Sequence, residues 1–521
     1  MPGRILPLAF LTLLVLGIFT SSFYIQSVKA IGTIYIRTDG SIDPATAPIQ
    51  RNGDLYTLTD NIASSEDGIV MMRNNTMVDG GGYTVQSAGT TYNPVGIDLT
   101  GTNNVTIKKM NVKAFYRGIQ LISSDNNSVS ENSLTNNTNG IALSYSNNNS
   151  MSGNTIAHSR FGVDLLLSDN NSISANTFFD CGLTVFDSYE NVVFDNLVNG
   201  KPLVYLEDVS DCVVEDAGQV ILVNCNRIRV ENSNLSHTTL GVELWQTNNT
   251  KIGGNTVTDN QFYGIYLYYS SDNSISENNM ANNSVWGIFL RGSSNNRIDR
   301  NNITDNSYCG IEFGSSSYNS VSGNDIIDNG NGIWLGGSSY NSISENNITN
   351  NGVDGIVLKS SSNNSISGND ITDNGYYCID FLDSSINTVF HNDFINNTVH
   401  VDYWTSEHAN FWDNCCEGNY WSDYNGTDLD NDGVGDTYLP WEGVDNYPLM
   451  NVYWNPCDIN HDLEVNRDDI DISARAFGTR SGDVLWNPHA DVTGSEPLVS
   501  DGKVDMRDIS VVARHFGEHY P

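Results

Sequence analysis

Residues 341–358 read NSISENNITNNGVDGIVL, and this arrangement of Asn, Ile and Gly returns along the chain every 22 or 23 residues. A Gly followed by an apolar residue falls at Gly118, Gly140, Gly162, Gly241, Gly264, Gly287, Gly310, Gly332 and Gly355, and Cys378 takes the next position. In the same phase, Asn stands at positions 132, 154, 176, 255, 278, 301, 324, 346, 369 and 392. Self-similarity at a fixed period predicts a solenoid, in which each unit buries its apolar face only against its neighbours.

The apolar residues of each unit alternate with polar ones, as Ile356 and Leu358 do. A period of two is that of a β-strand, and the Asn, Gly and Ser residues between the short apolar runs favour turns. At about 3.3 Å per residue, one unit forms a coil of three short strands and three turns. The sequence therefore predicts an all-β, right-handed parallel β-helix, with stacked columns of Ile, Leu and Asn.

The period is interrupted after Asn176 and resumes at Gly241. Asn199-Gly200 is typical of a turn, and we expect residues 180–235 to leave the wall of the helix and rejoin it. The predicted organisation is a signal peptide over 1–30, an N-terminal cap and first coils over 31–100, β-helix repeats over 101–410, an acidic connector over 411–452 and a small α-helical domain over 453–521.

The first residues set the expected compartment. Arg4 precedes an apolar run over residues 5–20, and Ser27-Val28-Lys29-Ala30 is a plausible cleavage site, which together indicate a signal peptide. A signal anchor that stays in the membrane is the alternative. We expect a secreted, extracellular or cell-surface protein, in which some Asn-x-Ser/Thr sites carry glycans, for example Asn74, Asn104, Asn170, Asn302 and Asn425.

The 24 basic residues stand against 62 acidic ones, a formal net charge of −38. Nucleic-acid binding requires a basic patch, so the composition excludes it as an expected function. The eight cysteines follow no spacing that predicts a disulfide framework, although Cys415, Cys416 and Cys457 could pair near the C-terminal end.

Three acidic loops have oxygen ligands at alternate positions, the arrangement by which EF-hand loops surround calcium. The candidate ligands are Asp458, Asn460, Asp462, Asn466 and Asp469 in the first loop, Asp491, Thr493, Asp501, Asp505 and Asp508 in the second, and Asp428, Asp430, Asp432 and Asp436 in the third. Leu463 replaces the usual Gly of the first loop, and the second loop is lengthened. A short amphipathic segment follows each of the first two, so calcium is the predicted cofactor.

One outward position lies between the inward Ile and Leu columns. Along the stack it is occupied by Glu243, Tyr266, Phe289, Glu312, Trp334, Val357 and Asp380. Exposed rings with acids between them suit a sugar chain, because the rings contact its CH groups and the acids accept bonds from its hydroxyls. Carbohydrate binding is predicted for Glu243, Tyr266, Phe289, Glu312 and Trp334; stacking that only stabilises the strands is the alternative.

Catalytic residues are not identified by the pattern. Glu243 and Glu312 are three coils apart, about 14 Å, whereas glycosidase carboxylates lie about 5–9.5 Å apart. Two pairs on adjacent coils are close enough, Asp305 with Asp328 and Asp370 with Asp393, but they occupy positions expected in turns. A polysaccharide lyase or glycoside hydrolase is therefore kept as an alternative function.

The repeat, the segments 199–202 and 217–224, and Gly418-Asn-Tyr-Trp-Ser-Asp-Tyr424 together resemble NosD-type β-helix proteins, which abound among archaeal surface proteins. That resemblance implies the fold, and a copper-handling accessory role as a further alternative. His391, His400 and His408, with Cys415 and Cys416, are the candidate copper ligands, although their spacing matches no ligand pattern. Residues 453–521 resemble a dockerin, which implies docking to a cohesin-like receptor.

Overall fold

The computed structural model describes residues 32–89, 92–401, 410–430, 433–453, 467–480 and 503–514, together with residues 485, 490 and 492. The predicted signal peptide lies outside the described residues. The chain forms two compact units, Met1–Asn196 and Leu197–Pro521. Each unit contains parallel β-helix coils built from three short strands, which confirms the predicted all-β parallel β-helix.

In the first unit, three faces of the coil form three sheets. The first contains Ile34–Ile36, Ile42–Asp43, Ile69–Met71, Val95–Asp98, Arg117–Ile122, Asn139–Ser144, Phe161–Leu166 and Leu183–Phe186. The second contains Ile49–Asn52, Leu55–Leu58, Thr76–Asp79, Val105–Lys108, Ser128–Ser130, Ser150–Ser152, Ser172–Ser174 and Val192–Phe194. The third contains Ile62–Ser64, Thr84–Ser87, Asn111–Lys113, Ser133–Thr135, Thr155–Ala157 and Thr177–Phe179.

The second unit repeats the arrangement. Its first sheet contains Leu197–Val198, Lys201–Glu207, Gln219–Val223, Leu240–Trp245, Tyr263–Tyr268, Trp286–Arg291, Cys309–Gly314, Asn331–Gly336, Ile356–Lys359, Tyr377–Leu382 and Val399–Val401. Its second contains Val213–Val214, Arg229–Glu231, Lys251–Gly253, Ser274–Ser276, Arg297–Asp299, Ser320–Ser322, Ser342–Ser344, Ser365–Ser367 and Thr388–Phe390. Its third contains Asn279–Ala281, Asn302–Thr304, Asp325–Ile327, Asn347–Thr349, Asp370–Thr372, Asp393–Ile395 and Tyr420–Trp421.

The core of each unit is a set of stacked apolar columns. In the second unit Ile265 pairs with Ile288 and Ile288 with Ile311, and all three side chains are buried. The repeated Gly precedes this column because a side chain at that position would collide with the next coil. A Cβ added to Gly332 would lie 2.4 Å from the carbonyl oxygen of Gly355 on the next coil. This contact explains why Gly recurs at that position.

Buried asparagines form ladders inside the turns of each unit. In the second unit three ladders run along the stack, one through Asn255 to Asn419, one through Asn273 to Asn410 and one through Asn283 to Asn397, with Nδ2 to Oδ1 distances of 2.8–3.2 Å. Sequence reasoning identified the first ladder and missed the other two. In the first unit the ladder of Asn132, Asn154, Asn176 and Asn196 has the same geometry.

The interruption of the period is a change in coil length. At the end of the first unit, backbone amides bond to ladder side chains 20 residues ahead, as from Asn171 to Asn191, instead of 22 as from Asn149 to Asn171. In the second unit the spacing falls to 16 residues, as between Ala217 and Ser233. Within 180–235, Lys201–Glu207 pairs in parallel with Gln219–Val223, Leu203 with Gln219 for example, whereas Leu197–Val198 pairs with Lys201–Glu207 in the antiparallel sense. The structure thus differs from the predicted excursion, because Lys201–Glu207 and Gln219–Val223 stay in the first sheet. Among the described residues, the shorter coil between them has a strand on the second face, Val213–Val214, and none on the third.

Antiparallel pairs stand at the start of each unit. Ile36 pairs with Ile42 and Gln50 with Thr57 in the first unit, next to the first parallel coils. In the second unit, Val198 pairs with Lys201 around Asn199-Gly200. Both turn residues have positive φ, 51° and 83°, which is the backbone of a tight hairpin turn.

The connector closes the end of the second unit. Tyr420–Trp421 pairs in parallel with Asp393–Ile395, and the ring of Trp421 is buried. The buried carboxylate of Asp445 accepts hydrogen bonds from the backbone N–H of Asn419, at 2.9 Å, and from Trp421 Nε1, at 2.8 Å. Burial raises the pKa of Asp445 and these hydrogen bonds lower it; the burial effect is the larger.

Two short helices lie nearer the C-terminus, α1 (Arg467–Ala476) and α2 (Met506–Arg514). Their shared core contains Ala476, Val504 and Val512. In the part of the chain that the structure describes, no helix is both long and apolar enough to cross a membrane.

The ladder contacts predict the effect of Asn324→Ala. The side chain of Asn324 accepts from the Asn301 backbone N–H and donates to the carbonyl of Ile298, both at 2.9 Å. Without it these buried groups lose their partners, at a cost of about 1–3 kcal/mol each. We expect the free energy of unfolding to fall by roughly 3 kcal/mol in urea denaturation. Ser320→Ala, on the outer face of a neighbouring strand, is the control and should change it by less than about 0.5 kcal/mol. Equal effects of the two changes would contradict this role of the ladder.

The coil register predicts that Cys309 and Cys378 remain thiols. They lie about 14 Å apart, because three coil steps separate them, and a disulfide requires Cα atoms within about 7 Å. Burial raises the pKa of both thiols well above the usual value, which keeps the reactive thiolate scarce. In native protein, iodoacetamide should label the exposed Cys415 and Cys416 much faster than Cys309 and Cys378. A peptide map showing a Cys309–Cys378 bridge would disprove the register.

Candidate functional site

Strand register brings the predicted outward residues into one column on the first sheet of the second unit. Glu243 pairs with Tyr266, Tyr266 with Phe289, and Phe289 with Glu312. Glu312 then pairs with Trp334, and the column continues through Val357 to Asp380. We call these seven residues the outward column. The predicted carbohydrate-binding residues are therefore consecutive neighbours along the stack.

Only part of the outward column is open to solvent. The side chains of Phe289, Glu312 and Trp334 are partly exposed. Tyr266 is 4% exposed, and Glu243 and Val357 are 0% exposed, unlike the exposure expected from the sequence. The ring of Tyr266 stacks on that of Phe289 with centroids 5.4 Å apart, and burial raises its pKa. The open part thus spans three coils, and we call it the three-coil window.

Aromatic rings from the flanking positions join the window. Trp286 stacks on Phe289 with centroids 5.0 Å apart and planes 18° apart. The ring of Tyr308, 44% exposed, stands edge-on to Trp286 at 5.5 Å and lies 6.4 Å from Trp334. Trp286, Phe289, Tyr308 and Trp334 therefore form one continuous aromatic surface. Stacking of this kind also stabilises the strands, so the rings contribute to packing whether or not they bind a ligand.

Glu312 is the carboxylate inside the three-coil window. Its Oε2 accepts a hydrogen bond from Trp286 Nε1, which fixes the orientation of the carboxylate. Burial between the rings raises its pKa, and the bond from Trp286 offsets part of that shift. Within the described residues its Oε1 makes no hydrogen bond. The side chain can therefore accept a hydrogen bond from a ligand lying on the rings.

Two glycines border the window, and sequence reasoning missed them. In the column beside Glu312 and Trp334, Gly314 pairs with Gly336, between Arg291 on one side and Lys359 on the other. The flanking coils thus carry a long side chain at this strand position, and the two coils between them carry only glycine. The signal was the Gly that ends the segments 310–314 and 332–336. We call this strip without side chains, which adjoins the rings of Phe289 and Trp334, the glycine recess.

The carboxylate pairs considered for catalysis lie elsewhere in the coil. Asp370 and Asp393 are paired neighbours on the third sheet. Burial raises the pKa of Asp370. Burial and the charge of Asp370 raise the pKa of Asp393 to about 8, although Asp393 accepts a hydrogen bond from the backbone N–H of Tyr453, at 2.6 Å, which lowers it. Asp305 and Asp328 stand at turn positions with φ of 55° and 57°. Neither pair adjoins the rings of the outward column.

The third acidic loop brings three of its predicted ligands together. Carboxylate oxygens of Asp428, Asp430 and Asp436 lie within 4.8 Å of one another. Asp428 accepts the N–H of Gly433 at 2.9 Å, and Asp436 accepts that of Leu429 at 2.6 Å, which folds the loop around the acids. Gly433 has φ of 91°, a conformation that favours glycine. Asp432 lies outside the described residues.

Most ligands of the other two loops lie outside the described residues: Asp458, Asn460, Asp462, Asn466, Asp491, Thr493 and Asp501. Asp469 is buried in α1, and Asp508 belongs to α2. Asp505 bonds to Lys503 Nζ at 2.7 Å and to the backbone N–H of Arg507 at 2.8 Å, and these bonds lower its pKa. The two helices therefore follow the predicted loops, as their amphipathic pattern indicated.

The predicted copper ligands do not converge in the described residues. His391 Nε2 lies 2.7 Å from Glu417 Oε2, and its ring stacks on Tyr453. His400 Nε2 lies 3.0 Å from Asp423 instead. His408 lies outside the described residues. Over the described ranges, the metal-ligating side chains that converge in a group of three are those of Asp428, Asp430 and Asp436. Carboxylates are poor copper ligands compared with imidazole and thiolate.

Solved structures of two epimerases and of a DFA-IIIase have a similar fold. The A-module of mannuronan C-5 epimerase AlgE6 from Azotobacter vinelandii is 15% identical over 66% of this chain and 89% of its own, with a TM-score of 0.35. The periplasmic alginate epimerase AlgG is 14% identical over 72% and 82%, with a TM-score of 0.30. DFA-IIIase from Arthrobacter chlorophenolicus A6 is 12% identical over 64% and 86%, with a TM-score of 0.31. Similarity this low transfers no activity to the chain.

A search of curated proteins finds no match. The profile of the family described as "Periplasmic copper-binding protein (NosD)" matches residues 50–210, 206–330 and 305–426, most of the β-helix. This match covers more than half of the chain and includes the outward column. The chain belongs to the NosD family.

Proposed function

We propose that the chain is an exported β-helix protein that binds carbohydrate at the three-coil window. The observation that carries this proposal is the run of partly exposed Phe289, Glu312 and Trp334 on successive coils. Rings offer flat apolar surfaces to the CH groups of a sugar, and Glu312 Oε1 offers an acceptor to its hydroxyls. An exposed apolar patch with a few polar groups is typical of a binding surface.

Catalysis by a polysaccharide lyase or glycoside hydrolase has less support. The window contains one carboxylate, and Glu243 lies three coils from it, about 14 Å. A glycosidase mechanism needs a second carboxylate within about 9.5 Å. Binding without turnover is therefore the function that the geometry favours.

Copper handling, which the family description names, also has less support in this chain. His391 and His400 are held apart by separate carboxylates, Glu417 and Asp423. The described residues therefore do not fit a copper site.

Calcium binding is the second part of the proposal. In the third loop, convergence of three carboxylates supports a site for a hard cation. We further propose that residues 453–521 form a calcium-dependent, dockerin-like module for a cohesin-like receptor. The loop spacing and the two packed helices α1 and α2 support this part.

The glycan proposal predicts the effect of Trp334→Ala and Phe289→Ala. Each change removes one ring from the window, and we expect binding to immobilised polysaccharide to weaken at least tenfold, about 1.4 kcal/mol. The fold should be retained with a moderately lower melting temperature, because both rings are partly exposed but Phe289 also stacks on its neighbours. A glycan array identifies the ligand and affinity electrophoresis measures the loss.

Tyr340→Ala is the matched control, because Tyr340 is 52% exposed and stacks on Tyr318 in a turn away from the window. It should bind as the unchanged protein does. Loss of folding in Trp334→Ala would show instead that the ring is structural. Release of reducing ends during the assay would favour the hydrolase alternative.

The calcium proposal predicts the effect of Asp428→Asn combined with Asp430→Asn. The double change removes two of the three converging charges, and calorimetry should detect one calcium site fewer than in the unchanged chain. Asp383→Asn alters an exposed acid in a β-helix turn and should leave the number of sites unchanged.

A chelator should also lower the helical circular dichroism of the full chain, since calcium binding and folding of a small module are linked. The strand signal should persist, because the stacked coils are held by ladders and apolar columns. Among single changes, Asp458→Ala should reduce calcium affinity more than Thr493→Ala. Unchanged helicity in excess chelator would contradict the docking module.

A further inference from the structure

We propose that the ligand of the three-coil window is an extended, uncharged polysaccharide that runs parallel to the β-helix axis, with about one sugar unit on each coil. The inference rests on the proposed function and specifies its ligand. It follows from the spacing of the rings, the length of the open window, the distribution of charge and the glycine recess.

The spacing of the coils sets the repeat of the surface. Successive coils are about 4.8 Å apart, so Phe289 and Trp334 are separated by about 9.6 Å along the stack. One coil step is close to the length of one pyranose unit in an extended chain. A chain parallel to the axis therefore places alternate sugars on the two rings and the sugar between them beside Glu312.

The limits of the window set the length of the bound segment. Beyond Phe289 the column continues with Tyr266, which is 4% exposed, and beyond Trp334 it continues with Val357, which is 0% exposed. Direct contact with the outward column is therefore restricted to three successive coils. A trisaccharide segment fills this length, and further sugars would extend past the surface without added contact.

The charges of the window select against acidic sugars. Glu312 is its central polar side chain, and its Oε2 is already used by Trp286. Recognition of carboxylates by proteins commonly uses Arg or Lys, often as a paired guanidinium contact. Two cations stand on this face: Arg291 on the coil of Phe289, at one end of the window, and Lys359 one coil beyond Trp334. The strand of the middle coil, which carries Glu312, has no cation. A polyuronate would place carboxylates against Glu312, so a neutral sugar fits better.

The recess at Gly314 and Gly336 gives the chain room to lie beside the rings. A Cβ added to Gly314 would meet its nearest atom, in the ring of Phe289, at 3.5 Å, and one added to Gly336 would meet the carbonyl of Phe313 and Trp334 Nε1, both at 3.6 Å. These are ordinary contact distances, and neither glycine has positive φ. A side chain is thus tolerated by the fold at both positions, and its absence leaves the surface open for a ligand.

The test is calorimetric titration of the full chain with neutral oligosaccharides of two to six units, β-1,4-linked glucose, N-acetylglucosamine and mannose. Oligomers of glucosamine and of uronic acids are titrated in parallel. For the neutral series that binds, affinity should rise at least tenfold from two to three units and then level off. Uronic-acid oligomers should bind at least tenfold more weakly.

Gly314→Val and Gly336→Val should each weaken neutral-oligosaccharide binding at least tenfold, with circular dichroism and melting temperature retained. Ser344→Val, on the outer face of the second sheet, is the control and should bind normally. Tighter binding of uronic-acid or glucosamine oligomers, a plateau at two units, or a steady rise to six units would overturn the inference while carbohydrate binding stands. Unchanged affinity in the glycine variants would place the ligand elsewhere. If no carbohydrate binds, the proposed function itself fails.

Discussion

The hydrogen bonds between stacked asparagine side chains are the constraint on which the rest of this structure depends. A coil of 22 or 23 residues has three turns, and the inner polar groups of those turns are buried. Buried backbone groups without partners are costly. Each ladder asparagine satisfies such groups on its own coil and on the neighbouring coils, as Asn346 does with the carbonyls of Val321 and Ser344. The amide side chain suits this role because it both donates and accepts.

The ladders also determine where the outward column stands. Because three ladders fix successive coils of the second unit from Asn283 onward, a residue at a given position of the coil lies directly beside its equivalent one period later. Where the spacing falls to 16 residues, the strands of the first and second faces remain and, among the described residues, the third face has no strand. Side chains on the strands are therefore kept in straight columns, and a surface such as the three-coil window arises from residues 22 or 23 apart in the sequence.

Much of the fold follows from the period alone. The buried Ile column and the ladder through Asn324 were predicted from the spacing of single residue types, because both need an equivalent neighbour on every coil. The shortened coils near Leu203 were not, since a change in coil length removes the period while the strands still pair. The solvent exposure of each residue in the outward column could not be predicted from the sequence either. Alternation places Tyr266 and Phe289 on the same side, but the packing of neighbouring rings decides which of them solvent reaches.

Asp445 shows how such a structure ends. Its Oδ2 lies 2.9 Å from the backbone N–H of Asn419 and 3.4 Å from Asn419 Nδ2, the position that the next asparagine would occupy. An ionised carboxylate accepts hydrogen bonds and donates none, so it completes the ladder without offering a donor to a further coil. A stack of identical coils could otherwise continue into another molecule, since exposed strand edges promote association end to end. The acid at this position therefore ends the ladder that runs from Asn255 to Asn419 and disfavours the addition of a further coil there.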